Sequence, residues 1–224
     1  MIVVLQCAAG KRPGAGCLRT ASGIPVKFVA DPHAARIAAP AGFAYARPDD
    51  PSDVEGSWRD VMRKYNEETD RRGNPLCLFH AYELYQNPTY DLLWKRFGTT
   101  LYILSAGWGF VRADSLIPHY DITFGQTAKG EGYKHRGKTN TYQDFGLPVD
   151  LEDKILFFGG KNYARQFCEL TREIRAKKTV FYNSDRPPEV TDCGDVSFKR
   201  FETSTRTNWH YGCVQAFLDG AISA

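Results

Sequence analysis

Four short, largely apolar runs, Met1–Gln6, Thr100–Leu104, Ile155–Phe158 and Thr179–Tyr182, each pass directly into small or polar residues, and no other feature constrains the fold as strongly. Runs of that length without polar alternation read as strands buried on both faces. A helical stretch, Asn162–Arg175, lies between the last two. Strand, helix, strand alternation predicts an α/β fold: a largely parallel central sheet with right-handed crossovers, flanked by helices. The four strand exits are Cys7-Ala8-Ala9-Gly10-Lys11, Ser105-Ala106-Gly107-Trp108-Gly109, Gly159-Gly160-Lys161-Asn162 and Asn183-Ser184-Asp185. In a parallel sheet they converge on one edge, where open α/β folds bind ligands.

The remaining pattern fills in around this sheet. Residues 26–30 alternate as a half-buried strand, and Ser52–Thr69 carries Val54, Trp58, Val61, Met62 and Tyr65 at helical spacing. That helix ends near Gly73-Asn74-Pro75. Shorter helices are expected over Cys77–Tyr85 and Tyr90–Phe97, the latter stopped by Gly98, and a last one over Trp209–Ile222. With 224 residues, 42% of them hydrophobic and 13% aromatic, the chain can bury one large core and is expected to form a single domain.

Several function classes are disfavoured. No apolar stretch is long enough to span a bilayer and no leader opens the chain, so a cytoplasmic protein with no membrane association is expected. Cysteines at 7, 17, 77, 168, 193 and 213 form no C-x-x-C pair and have no histidine at metal spacing. They are expected to be reduced core residues rather than metal ligands or disulfide partners. Neither a P-loop nor a G-x-G-x-x-G fingerprint occurs, so no cofactor is expected. No oligomeric state is implied.

Charge distribution says more than the net +3. Within the glycine-containing loop 125–145, Lys129, Lys134, Arg136 and Lys138, with His135, face one acid, Glu131, before Gln143. Such a stretch can offset backbone phosphates. Lys161, in the first turn of a helix, opposes the helix dipole unless it is solvated or lies near an anion such as a phosphate. The segment Tyr102–Phe124 is the richest, gathering glycines, Trp108, Phe110 and Tyr120 as candidate stacking surfaces, and Asp121 as a negative charge in an aromatic setting.

The strand with Ser105-Ala106-Gly107-Trp108-Gly109-Phe110-Val111-Arg112 and the following Leu116-Ile117-Pro118-His119-Tyr120-Asp121 resemble the core motif of the YaaA family of peroxide-stress, DNA-binding proteins. Phe158-Gly159-Gly160-Lys161-Asn162-Tyr163 resembles a later strand end of that family, and Val4-Leu5-Gln6-Cys7-Ala8-Ala9-Gly10-Lys11 its opening strand and lysine. The likeness covers roughly 1–11, 79–124 and 155–175. Trp108 stands where a tyrosine or histidine is usual, and the basic stretch after Phe124 is an insertion. The resemblance implies a DNA-handling α/β fold related to domains that act on modified bases. The nearest functional fit is a phage-defence DNA glycosylase removing glucosylated hydroxymethylcytosine.

On that reading the expected catalytic groups are Asp121, beside the sugar carbon, with Lys161 and Asn162. Gln6, Lys11, Ser105, Gly107, Trp108, Tyr120 and Tyr163 would hold a flipped base and its phosphates. Lys129, Lys134, Arg136, Lys138, Arg206 and His210 would contact DNA, and Arg206, Asn208 and His210 would close the site from the start of the last helix. His119, His135 and His210 taken singly read as structural rather than catalytic. Two alternatives use the same residues: a nucleoside or nucleotide N-glycosidase or deoxyribosyltransferase, and a non-enzymatic DNA-binding stress protein in which Asp121 only shapes a turn.

Overall fold

Consecutive phenylalanines show how the central sheet is covered. Neighbours on a strand point to opposite faces. In the computed structural model, which describes residues 1–137, 140–190 and 193–223, Phe157 stacks on Phe167 at 4.7 Å, while Phe158 stacks on Phe181 at 4.7 Å and meets Phe217 at 5.5 Å. Phe167 and Phe217 belong to different helices, one on each face. A run apolar at every position is what a strand covered on both sides requires.

In chain order the first half comprises β1 (Ile2–Gln6), β2 (Val26–Val29), α1 (Pro32–Ala38), β3 (Ala44–Ala46), α2 (Trp58–Arg72), β4 (Phe79–His80), α3 (Ala81–Leu84) and α4 (Thr89–Phe97). The second half comprises β5 (Leu101–Ser105), β6 (Gly109–Arg112), β7 (Leu116–Ile117), β8 (Tyr120–Asp121), β9 (Ile155–Phe158), α5 (Lys161–Leu170), β10 (Lys178–Tyr182), β11 (Val196–Arg200) and α6 (Trp209–Leu218). Six strands form the main sheet in the order β11-β10-β9-β1-β5-β6, parallel throughout except for the β5–β6 hairpin. A smaller parallel sheet, β3-β2-β8, and the two-stranded pair β4-β7 complete the fold. The expected α/β architecture with a largely parallel sheet and flanking helices is therefore present. No helix among the described residues is long and apolar enough to cross a membrane.

Local chemistry explains where the elements depart from expectation. The second helix starts at Trp58 rather than Ser52 because Ser52 Oγ accepts from the amides of Val54 and Glu55, closing a turn that competes with helix. Ser57 and Asp60 then form a reciprocal capping box. The helix expected over Cys77–Tyr85 shrinks to Ala81–Leu84, since Phe79 and His80 pair with β7 and Cys77 holds a φ of 51°. The edge strands β6 and β11 were not expected. In β11 (Val-Ser-Phe-Lys-Arg) exposed positions interrupt any apolar run, as befits an edge.

One cysteine expectation is corrected. Cys168 of α5 and Cys193, just before β11, form a disulfide with Cα atoms 4.5 Å apart. Linear spacing gave no warning, because parallel pairing of β10 with β11 and the packing of α5 bring together residues 25 positions apart. Cys7, Cys17, Cys77 and Cys213 are free.

Candidate functional site

Strand order fixes where a site can form. From β1 the chain reaches β5 on one side, and β9 then enters on the other side of β1. Loops leaving β1 and β9 diverge there, which opens a crevice at the carboxyl ends of the strands. A cleft of about 860 Å³ occupies this switch point. Gln6, Cys7, Ala8, Ala9 and Gly10 enter it from β1, Gly160, Lys161, Asn162 and Tyr163 from β9, and Tyr182, Asn183 and Ser184 from β10. Three of the four strand exits thus converge as expected.

Helix starts close the ring. Asn87 and Pro88 precede α4, Lys161 opens α5, and Asn208 and Trp209 begin α6, and all line the cleft. Neither α5 nor α6 carries an acid in its first turn. The first amides and positive dipole ends of α5 and α6 favour an anion, whereas at α4 Asn87 Oδ1 already accepts from the Thr89 amide and Asp91 stands in the first turn. The side chains of Lys161 and Arg206 make no hydrogen bond or ion pair among the described residues. The rest of the described lining is amide, hydroxyl, thiol and aromatic, with no carboxylate.

The β1–α5 contact is tightly specified. Gln6 Oε1 accepts from the Gly160 amide at 2.6 Å, fixing the two loops together, and the Gln6 carbonyl accepts from Tyr90 Oη at 2.7 Å. Cys7 Sγ and Tyr163 Oη share a hydrogen bond at 3.1 Å. Burial and the neighbouring thiol hold the Tyr163 phenol well above its ordinary range, so it stays neutral. Asn162 Nδ2 donates to the Phe124 carbonyl at 3.4 Å, and its Oδ1 makes no hydrogen bond among the described residues.

Of the residues singled out from sequence, Gln6, Lys161, Asn162, Tyr163, Arg206 and Asn208 meet in this cleft. Others do not. Trp108 and Tyr120 are wholly buried and offer no face to a base, a correction to their expected stacking role. Trp108 packs edge-on to Phe28 at 5.0 Å, and Tyr120 has the Lys11 ammonium over its ring at 4.1 Å. Ser105 and Gly107, also buried, are likewise structural: Ser105 Oγ donates to Tyr120 Oη at 2.9 Å and accepts from the amides of Gly107 and Trp108.

That turn is clamped by two buried arginines. Arg59 donates to the carbonyls of Trp108 and Gly107, and Arg136 to that of Ala106. Arg136 also makes a two-pronged pair with Asp144, at 3.0 and 2.7 Å, so its expected DNA contact is corrected to a structural role. The density of polar and aromatic residues in Tyr102–Phe124 therefore marks mostly a hairpin locked from behind, and only Thr123 and Phe124 at its end line the recesses.

The basic loop is similarly spoken for. Lys134 pairs with Glu131 at 2.6 Å and lies 3.9 Å from Asp121, and His135 Nδ1 is bonded to the Gly125 carbonyl. Lys129 is exposed, and Lys138 lies outside the described residues. His210, expected at the DNA surface, is 3% exposed and points away from solvent. Asp121 sits in an ion pair with Lys27 at 2.9 Å and is not among the cleft-lining residues. Burial works to raise its carboxyl, but Lys27, Lys134 and His119 outweigh it and hold it below the ordinary carboxylate value. Lys11, beside this cluster, has its ammonium pushed below the usual lysine value by burial, against the opposing pull of Cys7 and Asp121.

Sequence reasoning missed Gln86, Asn87, Tyr182, Trp209 and Tyr211 as lining residues. Tyr182 was visible as the last residue of a strand whose exit was already selected. The others depend on α4 and α6 packing side by side, with Phe97 stacked on Phe217 at 6.1 Å, which no local signal encodes. No protein-family model, curated protein or solved structure matches this chain.

Proposed function

We propose that the chain is a cytoplasmic DNA glycosylase that takes one nucleotide unit of DNA into the switch-point cleft and hydrolyses its N-glycosidic bond, releasing a modified cytosine in defence against phage. The observation that carries the reading is the lining itself: Lys161 and Arg206, unpaired among the described residues, and the starts of α5 and α6 suit a phosphate, while Tyr182, Trp209 and Tyr211 beside Asn183 and Asn208 suit a base and sugar. The modified-cytosine assignment rests on the YaaA-like motifs.

In this reaction water attacks C1′ while the C1′–N bond breaks. The base leaves with the bonding electrons and gains a proton from solvent, and the attacking water releases one to solvent. Asn162, on the cleft lining with its Oδ1 unpartnered among the described residues, accepts a hydrogen bond from that water. Lys161 and the helix starts fix the flanking phosphates, and these supply the negative charge that a cationic sugar requires, since the described lining has no carboxylate. Asp121 serves the lysine cluster behind the cleft.

The test is incubation with DNA containing cytosine, hydroxymethylcytosine or glucosylated hydroxymethylcytosine, scored for alkali-labile abasic sites. Abasic sites on modified DNA, reduced roughly 100-fold in Asn162→Ala, are expected. The carboxylate-free lining favours a second reading, a protein that holds a nucleotide unit of DNA without cutting it. Retained DNA binding by the wild-type protein with no abasic sites on any of the three substrates selects that reading.

A further inference from the structure

A second chamber of about 580 Å³ adjoins the cleft and shares Lys161, Asn162 and Ser184 with it, so the two recesses meet around the first turn of α5. Both volumes lie in the range that accommodates one small ligand each. Phe124 lines the second chamber and packs edge-on to Tyr163 of the first at 5.1 Å, which makes this aromatic pair the partition.

One residue of the chamber wall holds an unused, buried acceptor. Gln166 is 4% exposed, and its Nε2 donates to Asp144 at 3.1 Å and to the Ser105 carbonyl at 3.3 Å. Its Oε1 has no partner among the described residues. A buried polar atom left unpaired is destabilising and suits a donor brought by a ligand. Beside it the Arg136 guanidinium is held flat between Asp144 and the Tyr142 ring, 3.8 Å away. Charge has the same sense: with Arg136 paired to Asp144 and Arg165 to Glu169, Lys161 and Arg186 remain on the chamber lining against Glu189.

We infer that the second chamber takes the nucleotide next to the one held in the cleft, so that the ligand is a single strand bent around the start of α5, with Lys161 meeting the phosphate between the two units. The inference rests on the nucleotide-binding reading of the cleft. An amino or ring N–H group of the second base fills the vacancy at Gln166 Oε1, and Arg186, which makes no ion pair among the described residues, meets the next phosphate. A base-paired duplex cannot place two adjacent nucleotides in separate recesses, so single-stranded substrate, or a strand opened locally, is required.

The experiment is a fluorescence titration of the full chain with deoxycytidine 5′-monophosphate, the dinucleotide pdCpdC, a four-nucleotide single strand and a matched duplex. The dinucleotide should bind at least tenfold tighter than the mononucleotide, and the duplex more weakly than the single strand of equal length. Gln166→Leu and the exposed variant Arg186→Glu should each remove most of the dinucleotide advantage and leave mononucleotide binding unchanged. Equal affinity for mono- and dinucleotide, or a duplex bound as tightly as the single strand, overturns the inference while leaving the cleft assignment intact. Failure of every ligand to bind overturns both.

Discussion

The second residue of α6 is an imidazole whose Nε2 has no hydrogen-bond partner among the described residues, with Trp209 and Tyr211 as its ring neighbours. Burial lowers its pKa from 6.5 to about 4, so His210 is neutral in the folded protein over a range where the unfolded chain takes up a proton. The stability tied to this difference is therefore full above about pH 6.5 and is lost as pH falls toward 4, roughly 3 kcal/mol in all. His210→Phe removes that dependence. Urea unfolding at pH 7.5 and 4.5 should show the variant gaining about 2 kcal/mol on the wild type at the lower pH. An unchanged gap between the two would mean that His210 is not held neutral. Asp121 gives the opposite experiment. Its carboxyl is held below the ordinary value by Lys27, Lys134 and His119 against the effect of burial, so the stability it supplies is present above about pH 4 and lost as pH falls through the depressed value. Asp121→Asn should cost about 2 kcal/mol at pH 7 and progressively less as pH falls below about 4, and at pH 7 it should reduce abasic-site formation far less than Asn162→Ala. A larger catalytic loss in the Asp121 variant would return the carboxylate to the reaction.

At the scale of elements, the β9–α5 turn carries the most specific demand. A Cβ on Gly159 would lie 2.3 Å from Phe157 Cζ, and that ring is buried and stacked on Phe167, so it has nowhere to go. Gly159→Ala should destabilise by about 1–3 kcal/mol and, because Lys161 and Asn162 follow directly, weaken nucleotide binding as well. Equilibrium unfolding paired with the titration checks both effects together. The disulfide ties the far end of α5 to the segment before β11, and its loop-closure contribution for 25 residues is about 3 kcal/mol. Thiol labelling under denaturing, non-reducing conditions should therefore count four groups, rising to six after reduction. The buried strands β1, β5, β9 and β10 were legible because a strand covered on both faces must be apolar at every position, and the C-terminal ends of α2 and α4 because Gly73 and Gly98 announce them. The edge strands were not, since β11 alternates with exposed positions and β6 exists only as the partner of β5. The cleft was half legible: Gln6, Lys161, Asn162 and Tyr163 lie at strand exits whose convergence follows from topology. Trp108, Tyr120 and Arg136 misled because residue type cannot distinguish an aromatic or a cation offered to a ligand from one that Asp144, Lys11 or Phe28 already occupies.

Taken whole, the molecule carries little net charge, +3, so any affinity for nucleic acid must come from where unpaired cations stand rather than from their number. Most basic side chains around the site are already neutralised: Arg136 by Asp144, Lys134 by Glu131 and Lys27 by Asp121. Lys161, Arg206 and Arg186 make no such pair among the described residues, and all three line the cleft or its adjoining chamber. Each phosphate met by one of them releases condensed counterions on binding. For a single strand the slope of log affinity against log salt is about −0.7 per phosphate neutralised, which for three contacts gives roughly −2. A slope near −10, as for a protein that coats duplex DNA, would need many more cations than the two recesses have to offer. Titration of a four-nucleotide single strand between low and moderate salt should return the shallow slope, and Lys161→Ala should lessen it by about 0.7. Lys129→Ala, in the basic loop but outside both recesses, should leave it unchanged. If Lys129→Ala shifts the slope as much as Lys161→Ala does, nucleic acid follows the loop instead of the recesses, and the path around α5 is wrong.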